Sequence, residues 1–424
     1  MLAATRALTI FAEIDPARRA SLDMRLATIA GDLEHNAVFR PSSLPDTHFT
    51  RFVIISDADH DHELPDLLAW EVNHDGSASD YLAAVARHAP AIDRVLEACV
   101  GYPGTHQRDA WLAWMTAHRH RSAAFYTGYR GIPRREVVND RAVHDELRRI
   151  ADRDRGTFET LPPHEIQRRL REAAKAGDPK LDLSPIPDEE WRWLLGKVAA
   201  IAALVVLLPV LVVIIGPWYL MLRRHERADL DTGYTRPVHD NGFSKAEDEQ
   251  DVRQNQLTHV VDIKPGVFRL FTVWAVLTAI DALATVIYVR GELGGISSIH
   301  FARWVIVRDR RRVKEPRHRL VFFSNYDGSW ESYLGEFIDR ASTGLTAVWS
   351  NTVGFPRSKN LLWEGASDEE AFKQWTRDHQ QTTQVWWSGV PTSTVQNVRD
   401  DVWLRRRLDQ TLDTEEMARW LRLL

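Results

Sequence analysis

The chain has 424 residues and carries 54 basic and 59 acidic side chains, a formal net charge of -5. This length predicts two domains with connecting material, and the balanced charge offers no basic surface for nucleic acid. The single cysteine, Cys99, excludes an internal disulfide framework and fits a reducing compartment. Charges at Arg6 and Glu13 interrupt any apolar region near the start, so we expect no secretory signal.

The N-terminal part of the chain predicts six elements in the order strand, helix, strand, strand, helix, strand. Apolar residues alternate in the predicted strands and recur at helical spacing in the predicted helices. The six elements cover residues 6–14, 17–36, 48–56, 66–73, 79–99 and 122–129. This order is that of the ferredoxin-like split βαβ unit, in which helices cover one face of an antiparallel sheet.

An apolar run without any charged residue follows at residues 198–222. It is long enough to cross the roughly 30 Å hydrocarbon core of a bilayer as a helix. Aromatic residues flank it as they flank membrane spans: Trp191, Trp193, Trp218 and Tyr219. A buried core helix is the alternative, but such helices are usually shorter and interrupted by polar residues. We therefore predict that this run attaches the protein to a membrane.

A second apolar stretch, residues 267–289, contains Arg269 near its start and Asp281 within it. Because an unpaired aspartate is costly inside a bilayer, this helix either turns Asp281 towards protein or lies at the membrane interface. Two arrangements remain open: a hairpin of two spans, or a re-entrant hairpin that turns back at Pro209. Both leave the N-terminal and C-terminal halves on the same side of the membrane, which we predict to be the cytoplasmic side.

Blocks of sequence from the N-terminal half recur in the same order in the C-terminal half. THFTRFVIISD at residues 47–57 resembles IHFARWVIVRD at 299–309, and NHDGSASDYL at 73–82 resembles NYDGSWESYL at 325–334. Farther along, the alignment pairs Trp114 with Trp375, His118 with His379, and Gly128 with Gly389. Several separated blocks in one order indicate an internal duplication.

The duplication predicts an α+β fold in which two tandem ferredoxin-like repeats form one α+β barrel, with a membrane-attached helical insert between them. The opening strand and helix of the second repeat are not evident after Arg290, so part of residues 267–289 is a candidate for that helix. The predicted segments are a first repeat at 1–150, a helical linker at 151–192, a transmembrane or re-entrant segment at 193–222, a polar insert at 223–266, a second membrane or interfacial helix at 267–290, and a second repeat at 291–424.

At the level of fold, the chain resembles the tandem ferredoxin-like barrel proteins that include chlorite dismutases and dye-decolourising peroxidases. The latter carry a G-x-x-D-G motif whose aspartate works at the distal side of a haem, and VNHDG at 72–76 and SNYDG at 324–328 keep its last two residues. The resemblance covers both repeats but not the membrane segment. It implies haem as a candidate cofactor and makes Asn325 and Asp327 candidate ligand-binding residues.

The same motif also has a structural interpretation. Asp327 and Gly328 would form the tight turn after a strand, and Ser329 would cap the helix that follows. In the first repeat, Ser77 and Asp80 have the spacing of a capping box. Retention of the motif in both repeats favours this interpretation over two identical active sites.

Each repeat begins one apolar strand with a histidine and an arginine: His48 with Arg51, and His300 with Arg303. Side chains three positions apart on a regular strand face opposite sides, so the two members of a pair cannot point into one pocket. One interpretation is structural, with the histidine bonded to backbone and the arginine paired with an acid. In the other, Arg303 is a candidate catalytic residue and His300 a candidate ligand-binding residue at the mouth of the barrel.

His118 and His379 precede the last strand of each repeat. His379 is a candidate catalytic residue, although a hydrogen-bonded histidine without such a role is the more common case. Trp386 and Trp387 face opposite sides of the following strand, so one of them lines the barrel interior or the membrane-facing surface, and Trp386 is a candidate ligand contact. Further aromatic residues of the second repeat would form core or wall an apolar pocket: Phe322, Phe323, Tyr326, Trp330, Tyr333 and Trp349.

The stretch at 247–266 has no evident counterpart in the duplication and combines acids, amides and a histidine. A solvated loop is one interpretation. In the other, His259 is a catalytic general base or haem ligand, and Gln254 and Gln256 orient a polar group of the substrate. A helix would not place these three side chains on one narrow face, so such a site would require the chain to turn.

Two classes of function fit these observations. One is a haem-type oxidoreductase that receives a lipophilic substrate from the bilayer, and the other is a non-catalytic protein that binds lipid or acts as a scaffold. The expected partners are membrane lipid and a lipophilic small molecule. The excess of aromatic residues places any ligand pocket nearer the second repeat than the first.

Overall fold

The structure, a computed structural model, describes residues 5–57, 64–177, 181–184, 190–229, 253–286, 295–308 and 316–424. Within 190–212 only some side chains are described, and those of Trp191 and Trp193 are not among them; at 285–286 neither side chain is described. The chain has a mixed α+β fold, as predicted.

The strands and helices of the described residues follow in chain order. The strands are β1 (Thr5–Glu13), β2 (Thr47–Ile55), β3 (Leu67–Asp75), β4 (Ala124–Thr127), β5 (Gln254–Asp262), β6 (Ile299–Val307), β7 (Arg319–Asp327), β8 (Ser358–Lys359), β9 (Trp363–Glu364) and β10 (Thr383–Ser388). The helices are α1 (Arg19–Gly31), α2 (Ala78–His88), α3 (Asp93–Leu96), α4 (Arg108–His118), α5 (Arg134–Arg153), α6 (Arg155–Phe158), α7 (Pro163–Ala176), α8 (Glu190–Ala228), α9 (Val267–Val286), α10 (Trp330–Trp349), α11 (Glu369–Asp378), α12 (Val395–Arg406) and α13 (Thr414–Leu423).

Two four-stranded antiparallel sheets exchange strands between the halves of the chain. The first has the order β1-β3-β2-β10 and the second the order β4-β6-β7-β5. Strand β10 of the C-terminal half therefore completes the sheet of the N-terminal half, and β4 makes the reverse exchange. Since each sheet needs a strand from the other half, the two halves form one interlocked body.

The edge strands β1 and β5 pair with their neighbours in the same register. Thr5 lies opposite Asp75, and Gln254 lies opposite Asp327. The prediction of a solvated loop at 247–266 is thus wrong for residues 254–262, which form a largely buried strand. Residues 247–252 lie outside the described part of the chain.

Helix α9 packs on the outer face of the second sheet. Val273 and Leu277 are buried in the core beneath it, and a carboxylate oxygen of Asp281 accepts a hydrogen bond from the backbone N–H of Phe125 at 2.9 Å. Asp281 therefore faces protein, which was one of the two alternatives. Among the described residues, Val267–Ala284 is the one helical segment that passes a length and hydropathy test for crossing a membrane, a test that a core helix also passes. The predicted end of this segment, 287–290, lies outside the described residues.

Helix α8 is continuous over 39 residues and contains Pro209 and Pro217. The chain does not turn back at Pro209, so the re-entrant hairpin is wrong. A proline removes one backbone hydrogen bond, but the neighbouring turns keep the helical path. Near its C-terminal end, Leu222 packs against Ala347 and Leu361.

Apolar clusters hold the layers together. One cluster lies between the first sheet and α1 to α4, a second between the second sheet and α9 to α11, and a third between the two sheets. The long helices α5, α7, α12 and α13 pack together as a separate helical layer.

The turn after β7 follows the structural interpretation of the DG motif. Gly328 has a φ of 81°, a left-handed conformation that favours glycine. The hydroxyl of Ser329 then accepts a hydrogen bond from the backbone N–H of Ser332 and caps α10. Gly76 and Ser77 do the same before α2, so the predicted turn and cap are confirmed in both halves.

Candidate functional site

Strand β5 divides its side chains between two environments. Leu257 and Val261 belong to the core under α9 to α11, whereas Val260 belongs to the cluster between the sheets. His259 lies two residues after Leu257 in the strand, so its side chain points to the same face of the sheet, the face covered by helices.

His259 is fully buried and unpaired. Its side chain is 1% exposed, and neither ring nitrogen has a hydrogen-bond partner among the described residues. The ring centroids of Trp349, Trp375 and His379 lie 4.8, 4.6 and 5.7 Å from that of His259. Burial, with a smaller contribution from His379, lowers the pKa of His259 well below its ordinary value. The neutral ring therefore offers one donor and one acceptor that are not used.

A small cavity adjoins the imidazole of His259. Its volume is about 20 Å³, enough for roughly one water molecule. The lining residues come from the second sheet, α10 and α11: Leu257, His259, Phe322, Tyr333, Leu334, Phe337, Leu345, Trp349, Phe372, Trp375 and Thr376. Phe322, Tyr333 and Trp349 are among the aromatic residues from which the sequence predicts a pocket wall.

A larger apolar pocket of about 220 Å³ lies between α9 and α10 and shares Phe337 and Leu345 with the His259 cavity. Helix α10 is kinked between these two residues, because Ala341 has non-helical dihedral angles. Trp304 also lines this pocket, and its buried indole N–H has no partner within the described chain. The two cavities are therefore neighbours, separated by the side chains that they share.

His379 lies beside His259, but its other contacts are also found in the N-terminal half. Its Nδ1 donates to the carbonyl oxygen of Trp375 at 2.8 Å, and His118 makes the same contact with Trp114 at 2.8 Å. Its own carbonyl oxygen accepts from the backbone N–H of Val260. This geometry makes His379 a residue that positions β5 against α11.

Arg303 does not join His259, because it lies on the other face of the sheet. Its guanidinium donates to the carbonyl oxygens of Leu8 and Val72 in the other half, at 2.9 Å each. Its Nη2 is also 2.8 Å from Oε1 of Glu71. The three predicted catalytic residues are therefore not brought together, since only His259 and His379 are near each other.

Arg51 occupies the equivalent place in the first sheet. Its guanidinium donates to the carbonyl oxygens of Leu257 and Ser324 and to Glu71 Oε2, at 3.0, 2.8 and 3.0 Å. Burial lowers the pKa of Arg51, and it lowers that of Arg303 to about 10, a value that leaves Arg303 charged at neutral pH. The layer between the sheets thus contains two buried guanidinium groups that share one carboxylate.

The predicted amide ligands are also turned away from His259. Gln254 Nε2 donates to the carbonyl oxygens of Val390 and Ser393, at 2.8 and 2.5 Å. Gln256 Oε1 accepts from Arg51 and from the hydroxyl of Thr383. Both amide side chains therefore form hydrogen bonds with protein groups on the face of β5 opposite to His259.

His300 and Asp327 pair with each other at the end of the inter-sheet layer. His300 Nε2 is 2.8 Å from Asp327 Oδ1, and Asp327 Oδ2 accepts from the backbone N–H of Val395 at the start of α12. The register of β6 shifts between Ile299 and Phe301, so the strict alternation expected here does not hold at His300. His48 makes the matching contact with Asp75 at 3.0 Å.

Asn325 and Trp386 meet in the same layer. Asn325 Oδ1 accepts from the Trp386 indole at 2.9 Å and from Arg51 at 2.6 Å. The Trp386 ring stacks on Phe49, with centroids 6.2 Å apart. These two predicted ligand residues therefore contact other protein side chains and not the His259 cavity.

A third pocket, of about 560 Å³, opens at the end of the inter-sheet layer opposite to His300, where β6 ends and β7 begins. Phe11 and Val307 line it together with His118, Arg317 and Arg319. Arg317 pairs with carboxylates from both halves. Residues 58–63 and 309–315, which follow β2 and β6 in the chain, lie outside the described residues.

The His259 cavity does not fit a haem. It has room for about one water molecule, and the rings of Trp349 and Trp375 are part of its lining. Within the described ranges, no group of three or more His, Cys, Asp or Glu side chains is arranged to hold a metal ion.

Comparisons with known proteins give no match to any family model, curated protein or solved structure.

Proposed function

We propose that this chain is a membrane-attached protein that binds an apolar molecule through one hydrogen-bonding group at His259. The observation that carries the proposal is the buried imidazole with two unused ring nitrogens beside a cavity. An unsatisfied buried polar group costs about 1–3 kcal/mol. A ligand hydroxyl that pairs with the ring would remove part of this cost on binding.

The equivalent position in the N-terminal half of the chain holds an apolar residue, and this difference supports the proposal. Ile10 occupies the position of His259 in β1, where it packs in a continuous apolar cluster. The fold therefore does not need a polar side chain at this position. A buried histidine whose ring nitrogens have no hydrogen-bond partner among the described residues is more readily explained by recognition of a ligand than by a need of the fold.

The α9–α10 pocket provides a route from the surface to His259. Its lining is mostly apolar, and Leu283 at its edge is exposed. Phe337 and Leu345 separate it from the inner cavity, and the break in α10 at Ala341 lies between them. An apolar chain in the outer pocket would thus point its polar end towards His259 once these side chains rotate.

The fold itself is proposed to be two tandem ferredoxin-like repeats that form one α+β barrel, as in the dye-decolourising peroxidases and chlorite dismutases that the sequence resembles. The equivalent registers of β1 and β5, and the reciprocal exchange of β4 and β10, support this interpretation. Fold resemblance alone carries no activity. The proposal is therefore one of binding, and the cavity at His259 gives no support to haem chemistry.

Membrane attachment is proposed from the apolar surface of α8 and α9. Exposed apolar side chains on α8 include Ile201, Val206, Val213 and Leu220, and those on α9 include Phe271 and Trp274. Exposed apolar side chains on two helices are typical of a contact with membrane or protein. The interlocked halves would lie together on the cytoplasmic side.

The test uses a bromodecanol, because bromine quenches nearby tryptophan fluorescence and Trp349 and Trp375 border the cavity. We expect saturable quenching of the wild-type protein and at least tenfold weaker binding to His259→Ile. Replacing Trp349 by Phe should reduce the amplitude of quenching without abolishing binding. Equal binding by wild type and His259→Ile would contradict the proposal, as would a Soret band showing that the purified protein carries haem at His259.

A further inference from the structure

The start of α8 is tied to the globular body by the segment just before it. The carbonyl oxygens of Asp182 and Ser184 accept hydrogen bonds from Arg405 on α12, at 3.0 and 2.5 Å. Asn139 on α5 also donates to the Asp182 carbonyl oxygen at 3.0 Å. Residues 185–189 alone separate Ser184 from the first residue of α8. Six extended steps reach at most roughly 20 Å, so α8 begins close to the body.

The end of α8 is tied to the same body. Glu226 accepts hydrogen bonds from the backbone N–H groups of Asn360 and Leu361, at 3.0 and 2.7 Å. Just beyond the helix, Asp229 pairs with Lys264 and Arg269, at 2.8 and 2.7 Å. Both ends of this helix are therefore held by one body.

These tethers do not allow α8 to cross a bilayer. A transmembrane helix has its ends on opposite sides of roughly 30 Å of hydrocarbon. The halves before and after α8 are interlocked through β4 and β10, so they cannot lie on opposite sides. The reach of roughly 20 Å from Ser184 is too short to bring the chain back across the hydrocarbon.

We infer that α8 lies in one leaflet, along the plane of the membrane, and attaches the protein to an anionic bilayer surface without crossing it. This inference rests on the proposed membrane attachment and specifies its geometry. The uncharged run of residues 198–222 would extend roughly 37 Å as a helix, below the headgroups. The exposed Phe271 and Trp274 of α9 would enter the same leaflet.

Charge at the ends of α8 favours lipid as the occupant of this surface. Arg224 and Arg227 follow the apolar run and are exposed, and in the sequence Arg192 and Lys197 lie between three acidic residues at 188–190 and the run. Basic residues at both ends of an apolar helix can reach the phosphates of one leaflet while the run between them stays in the acyl region. A second copy of this chain would present the same basic ends, and these would repel each other in a parallel pairing.

The test measures the depth of spin labels along α8 in vesicles of phosphatidylglycerol and phosphatidylcholine. The labels are attached to single cysteines in a Cys99→Ala background, at Val198→Cys, Val206→Cys, Val213→Cys and Leu220→Cys. Relative collisions with oxygen and with a water-soluble nickel complex report the depth of each label. We expect similar depths at all four positions, apart from the helical periodicity. A profile that is deepest in the middle and shallow at both ends would show a crossing helix and overturn the inference.

A flotation assay separates this inference from the proposed attachment. If the protein floats with the vesicles but shows the crossing profile, attachment stands and the in-plane geometry fails. If the protein does not float and instead forms a dimer that protects the labels from the nickel complex, a second copy covers α8 and both proposals fail. Labelling of Ser184→Cys and Ala228→Cys by an impermeant maleimide added outside sealed vesicles should be equal, because both positions lie on the outer side.

Discussion

Ile10 and His259 occupy the same position in the two sheets. Each is the sixth residue of a nine-residue edge strand, and they lie opposite Trp70 and Phe322, residues at matching positions in β3 and β7. Both side chains are buried beneath helices, but only His259 carries polar atoms there. This difference between otherwise equivalent positions is the basis of the first two predictions.

Two single substitutions, each of which places the residue of one strand at the equivalent position of the other, should change stability in opposite directions. His259→Ile removes an unsatisfied buried polar group and should raise the free energy of unfolding by about 1–2 kcal/mol, provided the small cavity accepts the new side chain. Ile10→His places an imidazole in an apolar core and should lower it by at least as much. Denaturant unfolding of the ligand-free proteins measures both changes. A large loss of stability in His259→Ile would mean that the histidine has a structural role.

The acid sensitivity of the fold should depend on His259. In the folded state burial holds the pKa of His259 well below 6.5, whereas the unfolded chain keeps an ordinary value. Below about pH 6.5 the unfolded state therefore binds more protons, and the free energy of unfolding decreases as the pH falls. In His259→Ile this decrease should be smaller between pH 6.5 and 5.

A second buried histidine provides the control for this pH dependence. Burial lowers the pKa of His74 to about 4, so the His259→Ile variant should still lose some stability in acid. Ile10→His should show a steeper loss than wild type. If the wild type and His259→Ile gave parallel curves between pH 5 and 8, the environment assigned to His259 would be wrong.

Glu71 should be among the residues most sensitive to loss of charge. Its carboxylate pairs with both Arg51 and Arg303, so Glu71→Gln leaves two buried guanidinium groups without an anion. Breaking a buried ion pair in this way costs about 3–5 kcal/mol. Thermal unfolding at neutral pH measures the loss.

The position in the second sheet that is equivalent to Glu71 allows the stability of Glu71→Gln to be restored by a second substitution. Phe323 lies opposite Arg303, just as Glu71 lies opposite Arg51. Adding Phe323→Glu to Glu71→Gln should therefore restore part of the lost stability. Unchanged stability of Glu71→Gln, or no recovery in the double variant, would show that the layer between the sheets does not depend on one shared carboxylate.

Access to His259 should depend on Gly344, which lines the α9–α10 pocket. A Cβ at this position would meet nothing within 4 Å, so Gly344→Leu can be accommodated by filling the pocket. Helix propensity predicts a gain of up to about 1 kcal/mol in stability. We expect at least tenfold weaker bromodecanol binding in fluorescence titrations.

The matched control for Gly344→Leu is Gly335→Leu. This glycine is also in α10 and also has open space around it, but it does not line either cavity. Gly335→Leu should bind bromodecanol as wild type does. If both variants, or neither, lost binding, the pocket between α9 and α10 would not be the route to His259.

The sequence predicts much of the local structure, because apolar periodicity within a short segment is enough for that purpose. The strands at 48–56 and 66–73 and the cap at Ser329 agree with the structure to within two residues. Strand β5 is missed because three polar residues open it, Gln254 to Gln256, and these hide the alternation that begins at Leu257. The exchange of β4 and β10 is missed because short-range patterns do not determine which sheet edge a strand joins.

The same limit applies to the site. The sequence places Gln254 and Gln256 with His259 because they are close in the chain, but strand alternation sends the amides to the opposite face. Arg303 is separated from His259 for the same reason. The alignment with Trp114 marks Trp375 as a duplicated residue, but it does not predict that Trp375 contacts the His259 ring. A cluster that combines β5, α10 and α11 requires the tertiary structure.

The central claim is that His259 recognises a hydrogen-bonding group on an apolar molecule. Competition of decanol and decane against the bromodecanol, in wild type and in His259→Ile, tests this claim most directly because the two competitors differ by one hydroxyl. A hydrogen bond worth about 1 to 1.5 kcal/mol predicts that wild type prefers decanol by roughly five- to tenfold. In His259→Ile that preference should disappear while decane still competes. An equal preference for decanol in both proteins, or no binding of either competitor to wild type, would contradict the account.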